Sequence, residues 1–226
     1  MGMGKNLKTV FITGTDTGVG KSIFSSYLAL KLFPEGKKVA ISKPIQTGIP
    51  KDTDFLKELT GNKIPVFNTY SFSLGAAPSV ASAIENKTIE IKKIITEIKN
   101  LEKEFDCVII EGVGGIAVPI KQNYLVSDLI KDLNYPVIIV ARPSLGTINH
   151  TVLTIEFAKQ KGLNILGFVI SGYDFNTSDY VIRTAPEEIS QITQINCLMK
   201  VKKINDFSFN SINSLENTIE LVKHLC

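Results

Sequence analysis

The residues best suited to chemistry in this chain form a glycine-rich segment from Thr13 to Ser22, with the sequence TGTDTGVGKS. It follows a short apolar run and precedes a helical pattern, which is the setting of a phosphate-binding loop. In such a loop, backbone N–H groups and the helix N-terminus surround phosphate groups. Gly18 and Gly20 would let the backbone approach the ligand. Lys21 would reach the β- and γ-phosphates, and the Ser22 hydroxyl would bind magnesium.

The strand-and-helix context of this segment and its Gly-Lys-Ser end favour a phosphate loop over a chance glycine-rich turn, although its spacing departs from the usual pattern at one position. Its first glycine, Gly14, stands one residue earlier than the usual G-x-x-x-x-G-K-[ST] pattern requires. A Rossmann dinucleotide site fits less well, because its fingerprint contains no lysine. It also needs an acidic residue near the end of the second strand, where this chain has Lys43 and Pro44.

Two further charged residues end apolar runs and could belong to the same site. Glu111 ends the run before Gly112 to Gly115, and a carboxylate beside a phosphate loop is suited to bind magnesium. The glycines after it would let the backbone approach a nucleotide. Lys43 ends the second run and, with Lys21, would stabilise charge on a transferred phosphoryl group. Taken alone, an acid such as Glu111 at a strand end is more often a helix cap or part of a solvated turn, and Lys43 alone is better explained as a solvent-facing lysine.

Five short apolar runs predict strands that are buried on both faces, as in a parallel sheet. The amphipathic stretches between them predict helices, so the order favours a doubly wound, mostly parallel α/β sheet of the P-loop NTPase type. We expect one domain over 1–226, with 1–6 flexible. The strands are predicted at 10–13, 39–42, 107–111, 136–141 and 165–170, with a further candidate at 197–201. The helices are predicted at 22–33, 89–105, 147–161 and 215–225, with short ones at 54–60 and 77–85.

The composition is that of an ordinary globular protein. The 226 residues are 44% hydrophobic and 21% charged, with a net charge of +3. This weak charge argues against a nucleic-acid-binding protein. No apolar run reaches the roughly 18 residues of a transmembrane helix, and the chain does not begin with a signal peptide pattern. Three widely spaced cysteines and two histidines predict neither a disulfide framework nor a zinc site, so we expect a reducing, cytoplasmic location.

Several motifs together resemble the dethiobiotin synthetase family, in order from residue 13 to about residue 170. That family's loop, G-T-D-T-x-V-G-K-[ST], begins at Gly14, which accounts for the early glycine. The other matches are K-P-x-x-[ST]-G at 43–48, an acidic loop at 52–54, E-G-x-G-G at 111–115, Asp-Leu at 128–129 and L-G-x-[IL]-N-H at 145–150.

The resemblance implies an ATP-dependent carbon–nitrogen ligase. One amine of 7,8-diaminopelargonic acid takes up CO2 to form a carbamate, which ATP converts into a carbamic–phosphoric anhydride. The second amine then closes the ureido ring, giving dethiobiotin, ADP and phosphate. The resemblance also implies Mg2+, with ATP as co-substrate, and a homodimer whose active site lies at the interface.

The same resemblance assigns roles to individual residues. It implies catalytic roles for Thr17, Lys21 and Lys43, and magnesium binding by Ser22, Asp54 and Glu111. Thr47 would bind the substrate, and Asn149 and His150 would reach its carboxylate across the dimer interface. Nucleotide contacts are expected at Gly18, Val19, Gly20, Lys21, Ser22, Asp54, Glu111, Gly112, Val113, Gly114 and Ser171.

The nucleotide base is left open by two departures from the family pattern. Ser171 stands where the family usually has an asparagine that contacts the base. Residues 202–204 lack the family's P-x-L segment. A triphosphate is therefore expected, whereas the preference among bases is not predicted.

Three other functions are compatible with a P-loop. Cobyrinate synthases activate a carboxylate with ATP but need a glutaminase domain, for which 226 residues leave no room. Partition ATPases carry an extra lysine five residues before the loop lysine, where this chain has Asp16. A relative that binds nucleotide without turnover is disfavoured, because Lys21, Lys43, Asp54 and Glu111 are all present.

Overall fold

The computed structural model describes residues 8–33 and 36–215. The strands are β1 (Thr9–Gly14), β2 (Val39–Ser42), β3 (Ile45–Thr47), β4 (Val66–Phe67), β5 (Tyr70–Phe72), β6 (Cys107–Gly115), β7 (Pro119–Lys121), β8 (Tyr124–Leu125), β9 (Val137–Ala141), β10 (Ile165–Tyr173) and β11 (Cys197–Lys202). The helices are α1 (Lys21–Leu32), α2 (Asp52–Leu59), α3 (Pro78–Ile84), α4 (Ile91–Glu104), α5 (Val126–Leu133), α6 (Thr147–Gln160), α7 (Tyr180–Thr193) and α8 (Phe209–Asn213).

Seven strands form one sheet in the order β11-β10-β9-β1-β6-β2-β4. Each neighbouring pair is parallel, so the carboxyl ends of all these strands meet at one edge. The central strand β1 lies between β6 and β9, with Ile12 opposite Glu111 and Gly14 opposite Val140. The register therefore brings the start of the glycine-rich loop beside Glu111.

Apolar side chains on both faces of β1 hold it in the core. Val10 and Ile12 pack in one cluster with Phe24 of α1, whereas Phe11 packs in a second cluster with Ile110. All five side chains are at most 1% exposed. Burial of a side chain of this size stabilises a fold by about 1.5–3 kcal/mol, so the loop that leaves β1 starts from a firmly anchored strand.

The predicted fold class is confirmed: the sheet is parallel, and all six strand candidates belong to it. Sequence analysis missed the edge strand β4, the short strands of the two small sheets (β3, β5, β7 and β8) and three helices, α5, α7 and α8. The predicted helix 215–225 and flexible segment 1–6 lie outside the described residues. Against the expectation of reduced cysteines, Cys107 is disulfide-bonded, whereas Cys197 is a free, half-buried thiol.

Over 8–33 and 36–215, no helix is long and apolar enough to cross a membrane.

Candidate active site

The glycine-rich segment is a loop that joins the buried end of β1 to the first turn of α1. Gly20 is the N-cap of α1 and has φ 96°, a left-handed backbone conformation that favours glycine. A Cβ atom at this position would also overlap the Ser171 hydroxyl at the end of β10. Glycine is therefore required at position 20 by both backbone conformation and packing, and the loop presents the N-terminus of α1 to one side of the sheet edge.

A cleft of about 660 Å³ lies next to this loop. Its walls come from the ends of β1, β2 and β6 and from the segments that follow β3 and β5. The residues that line it are Thr17, Gly18, Gly20, Lys21, Ser22, Ile23, Lys43, Thr47, Asp52, Phe55, Gly75, Ala76, Ala77, Pro78, Glu111, Val113, Gly114, Val118 and Phe207.

Glu111 lies at the floor of the cleft with no exposed surface. Its Oε1 atom accepts hydrogen bonds from Ser22 Oγ at 2.9 Å and from Lys43 Nζ at 2.8 Å. Its Oε2 atom is buried and has no hydrogen-bond partner within the described ranges. A buried carboxylate oxygen without a partner is costly, so this atom is suited to bind a cation.

Lys43 is 1% exposed and lies among oxygen atoms. Its Nζ atom donates to Glu111 Oε1 and to the Gly112 carbonyl at 3.0 Å, and it forms an ion pair with Asp52 Oδ2 at 2.8 Å. Burial lowers the pKa of Lys43, but the Glu111 and Asp52 carboxylates outweigh it and raise the pKa above its ordinary value. Lys43 is therefore a buried ammonium group held between two carboxylates.

Lys21 is the second positively charged side chain of the cleft. Its Nζ atom donates to the Asp16 carbonyl at 2.9 Å, so the side chain folds back over the phosphate loop. Burial, and then the charge of Lys43, lower its pKa to about 8, although Glu111, Asp52 and Asp16 oppose this shift. An anionic ligand beside Lys21 would relieve the repulsion between the two lysines.

The structure brings Asp52 rather than Asp54 to the cleft. Asp52 is the first residue of α2, lines the cleft and pairs with Lys43, whereas Asp54 is exposed and is not among the lining residues of the described cleft. Residues two apart on a helix point about 200° away from each other, so only one of them can face the site. The magnesium role predicted for Asp54 is therefore better suited to Asp52.

Three other residues that were predicted to contact the nucleotide pack against other parts of the protein. The Val19 side chain is 2% exposed and packs in the core, so only its backbone could face a phosphate. A Cβ atom at Gly112 would lie 2.9 Å from the Phe11 ring, so this glycine serves packing, and its carbonyl holds Lys43. Ser171 packs against Gly20 and, within the described part of the chain, does not line the cleft.

The predicted substrate residues fall into two separate regions. Thr47 lines the cleft, as do Thr17, Val113 and Gly114. Asn149, in contrast, lines a groove of about 450 Å³ between α6 and α7, and His150 is exposed on α6. As far as the structure describes the chain, the groove and the cleft share no lining residue.

Sequence reasoning missed two aromatic residues at the cleft. Phe55 and Phe207 meet edge to face, with ring centroids 5.7 Å apart, and both line the cleft. Phe207 follows β11, in a region whose sequence suggested no function. The apolar position after the acidic pair of α2 could have indicated Phe55, but no local signal indicated Phe207.

Fold and site together define the class. A strand–loop–helix phosphate site at the carboxyl edge of a parallel sheet, with a lysine and a hydroxyl in the first turn of the helix, is characteristic of P-loop nucleotide-binding proteins. The chain resembles the cell division ATPase MinD of Pyrococcus furiosus with a TM-score of 0.60, over 96% of this chain and 95% of that one. At 16% sequence identity, this likeness concerns the fold alone.

Comparison with known sequences identifies the family within this class of P-loop proteins. A family model described as an AAA domain matches residues 8–211. The ATP-dependent dethiobiotin synthetase BioD of Methanocaldococcus jannaschii is 39% identical over 208 residues, which cover 89% of this chain and 97% of that protein. The protein of the same name from Bacillus subtilis strain 168 is 38% identical over 205 residues, or 88% of each chain. The chain belongs to the dethiobiotin synthetase family.

Proposed function

We propose that this chain is an ATP-dependent ligase that converts 7,8-diaminopelargonic acid, CO2 and ATP into dethiobiotin, ADP and phosphate. The observation that carries the proposal is the convergence of Lys21, Lys43, Ser22, Glu111 and Asp52 on one cleft beside the phosphate loop. The reaction requires a triphosphate and a carbamate to meet among cations, and this cleft provides two lysines at that position.

Magnesium fits the donor set of the cleft. The unpartnered Glu111 Oε2 atom, the Ser22 hydroxyl and the Asp52 carboxylate would hold it. Over the described residues there is no group of three or more His, Cys, Asp or Glu side chains, as a metal site built from protein alone would need. Magnesium bound with a nucleotide instead uses one or two carboxylates together with phosphate oxygens and water. When bound, it would neutralise charge on the phosphates.

The two lysines would stabilise the phosphoryl transfer. Lys21 leaves the Asp16 carbonyl to contact the β- and γ-phosphates, and Lys43 contacts the γ-phosphate and the carbamate. A carbamate oxygen then bonds to the γ-phosphorus as the bond to the ADP oxygen breaks. This chemistry needs positioned cations and in-line geometry but little covalent help from the protein.

Ring closure would follow in the same cleft. The second amine attacks the carbamate carbon, the C–O bond to phosphate breaks, and the amine releases its proton to water. Thr17 and Thr47, which both line the cleft, are suited to hydrogen-bond phosphate or carbamate oxygens. The amine is already part of the substrate, so its effective concentration is high and no protein nucleophile is required.

The substrate carboxylate would bind to a second copy of the chain. Asn149 and His150 lie in the first turn of α6, where backbone N–H groups favour an anion. They line or border the apolar groove rather than the cleft, and Leu145 beside them is 87% exposed. A homodimer that covers this groove and brings the start of α6 to the partner's cleft would complete the site.

The decisive experiment measures phosphate release with Mg-ATP, omitting the diamine and bicarbonate in turn, while product mass is read in parallel. We expect release only when both are present, together with a mass gain equal to one CO2 minus one water, as ureido ring closure requires. Phosphate release that does not depend on the diamine would refute the ligase proposal and favour a partner-stimulated ATPase.

A further inference from the structure

We infer that Gln46 is a positioning residue that directs the Asp52 carboxylate into the cleft and thereby sets the affinity for the metal–nucleotide complex. The inference rests on the proposed role of Asp52 as a magnesium ligand. Gln46 occupies a variable position of the K-P-x-x-[ST]-G motif, and it was not among the residues to which the sequence assigned a function.

Gln46 joins two elements through a buried amide. The residue lies in β3 and is 2% exposed. Its Oε1 atom accepts a hydrogen bond from the Thr53 N–H at 3.0 Å, and its Nε2 atom donates to Ser71 Oγ at 3.0 Å. Ser71 is its neighbour in the paired strand β5. Both ends of the amide are thus satisfied, which fixes its orientation.

The bond to Thr53 caps α2 from outside the helix. Lys51 is the N-cap of α2, and its side chain makes no capping bond within the described structure. The Lys51 carbonyl accepts from the Asp54 and Phe55 N–H groups. The Thr53 N–H belongs to a buried residue and would need another acceptor, because a buried unpaired N–H is costly. Gln46 provides that acceptor from the neighbouring strand.

This cap fixes the residue that precedes Thr53. The Asp52 side chain is 42% exposed, so packing alone does not hold its carboxylate at the 2.8 Å distance from Lys43. Its direction depends instead on where the first turn of α2 begins. Gln46 anchors that turn to β3, whose next residue, Thr47, lines the cleft. One buried amide therefore links the proposed metal-binding helix to the strand that carries a proposed substrate residue.

The test compares metal binding in four variants of the full chain. Mn2+ affinity is measured by electron paramagnetic resonance in the presence of ADP, and ADP affinity is measured separately without metal. Gln46→Met keeps the side-chain volume but removes both hydrogen bonds. Gln46→Glu keeps an acceptor for the Thr53 N–H. Ser71→Ala removes only the bond to β5, and Asp52→Asn weakens the proposed ligand directly.

We expect Gln46→Met to weaken Mn2+ binding about tenfold, the lower end of the effect of residues that orient metal ligands. Its metal-free ADP affinity should stay unchanged. Gln46→Glu and Ser71→Ala should remain within about threefold of the original protein, since both keep the bond to Thr53. If Gln46→Met does not fold, Gln46→Asn carries the same test, because its shorter amide withdraws from Thr53.

The variants separate failure of this inference from failure of the proposed function. Unchanged Mn2+ affinity in Asp52→Asn would overturn the metal role of Asp52. Weaker binding in Asp52→Asn, with unchanged binding in Gln46→Met, would overturn the inference about Gln46 alone. A lower melting temperature in Gln46→Met with unchanged metal affinity would also overturn it, because Gln46 would then stabilise the fold without positioning the ligand.

Discussion

The cleft and the groove beside α6 differ in polarity, in burial and in how their side chains are stabilised. The cleft is charged, and its main cation, Lys43, is buried and paired within one chain. The groove is apolar and open, with Leu145 87% exposed and Leu153 61% exposed. Charged groups can be positioned in advance by one chain because each finds a partner there. Exposed apolar side chains such as these mark a surface that gains stability only when another surface covers it.

Removing the Lys43 charge should have the largest effect in this comparison. Lys43→Ala is expected to lower turnover by about 10³-fold, because the ammonium group is needed where charge develops in the transition state. ATP affinity should change little, as the phosphate loop is intact. Steady-state kinetics and ATP binding by calorimetry measure the two quantities. An equal loss of ATP affinity would mean that Lys43 acts in nucleotide binding rather than in the chemical step.

Under the proposed dimer, a charge in the groove should separate the two chains without affecting nucleotide binding. Leu145→Asp is expected to shift sedimentation toward the monomer and to lower kcat/KM for the diamine by roughly 10–100-fold, since a desolvated carboxylate opposes association. ATP affinity should be unchanged. Ile84→Asp is the matched control. Ile84 is likewise an exposed apolar residue, at 64%, but it lies on α3, outside the groove. A monomer that retains full activity would contradict the two-chain site.

Lys43 also occupies the carboxylates that magnesium would bind. Without nucleotide, Lys43→Ala is therefore expected to raise Mn2+ affinity roughly 3–10-fold, because removing a cation from two carboxylates frees them for another. Lys21→Ala is the control, since the hydrogen bond of Lys21 goes to the Asp16 carbonyl. A similar gain in both variants would indicate a general charge effect instead of direct competition by Lys43.

The two regions should also differ in pH dependence. The Lys21 pKa of about 8 means that the side chain loses its charge as pH rises through 8, while a bound triphosphate would favour the charged form. ATP affinity should therefore be constant below pH 8 and fall by up to about tenfold per pH unit above it. The proposed association of two chains through the apolar groove should not follow this curve. Calorimetry of ATP binding and sedimentation of the protein at pH 7 to 9.5 compare the two dependences.

Much of the fold could be predicted from the sequence, because the strands are short, continuous apolar runs that are typical of a parallel sheet covered on both faces. The helix α7 was missed because Pro186 lies inside it, and proline normally disfavours a helix interior. The Asp179 side chain caps this helix by accepting from the Val181 N–H, and Ala185 and Ile189 form its buried face. Capping and burial thus outweigh the local preference of one residue.

The site was predicted less completely than the fold. Motif spacing identified the acidic pair of α2, but not which member faces the cleft, because that depends on where the helix begins. Asp52 faces it since Lys51 is the N-cap. Phe207 lies at the cleft because of the path that the chain takes after β11. That path cannot be predicted from the local sequence. The packing of Ser171 on Gly20 likewise depends on two segments that are distant in sequence.

The separation of the α6 start from the cleft has a genetic consequence under the proposed dimer. Each site would combine the cleft of one chain with Asn149 of the other. A chain inactivated by Lys43→Ala and a chain inactivated at Asn149 could then form a mixed pair in which one site contains only intact residues. Coexpression of two inactive alleles should restore growth without biotin, whereas either allele alone should not.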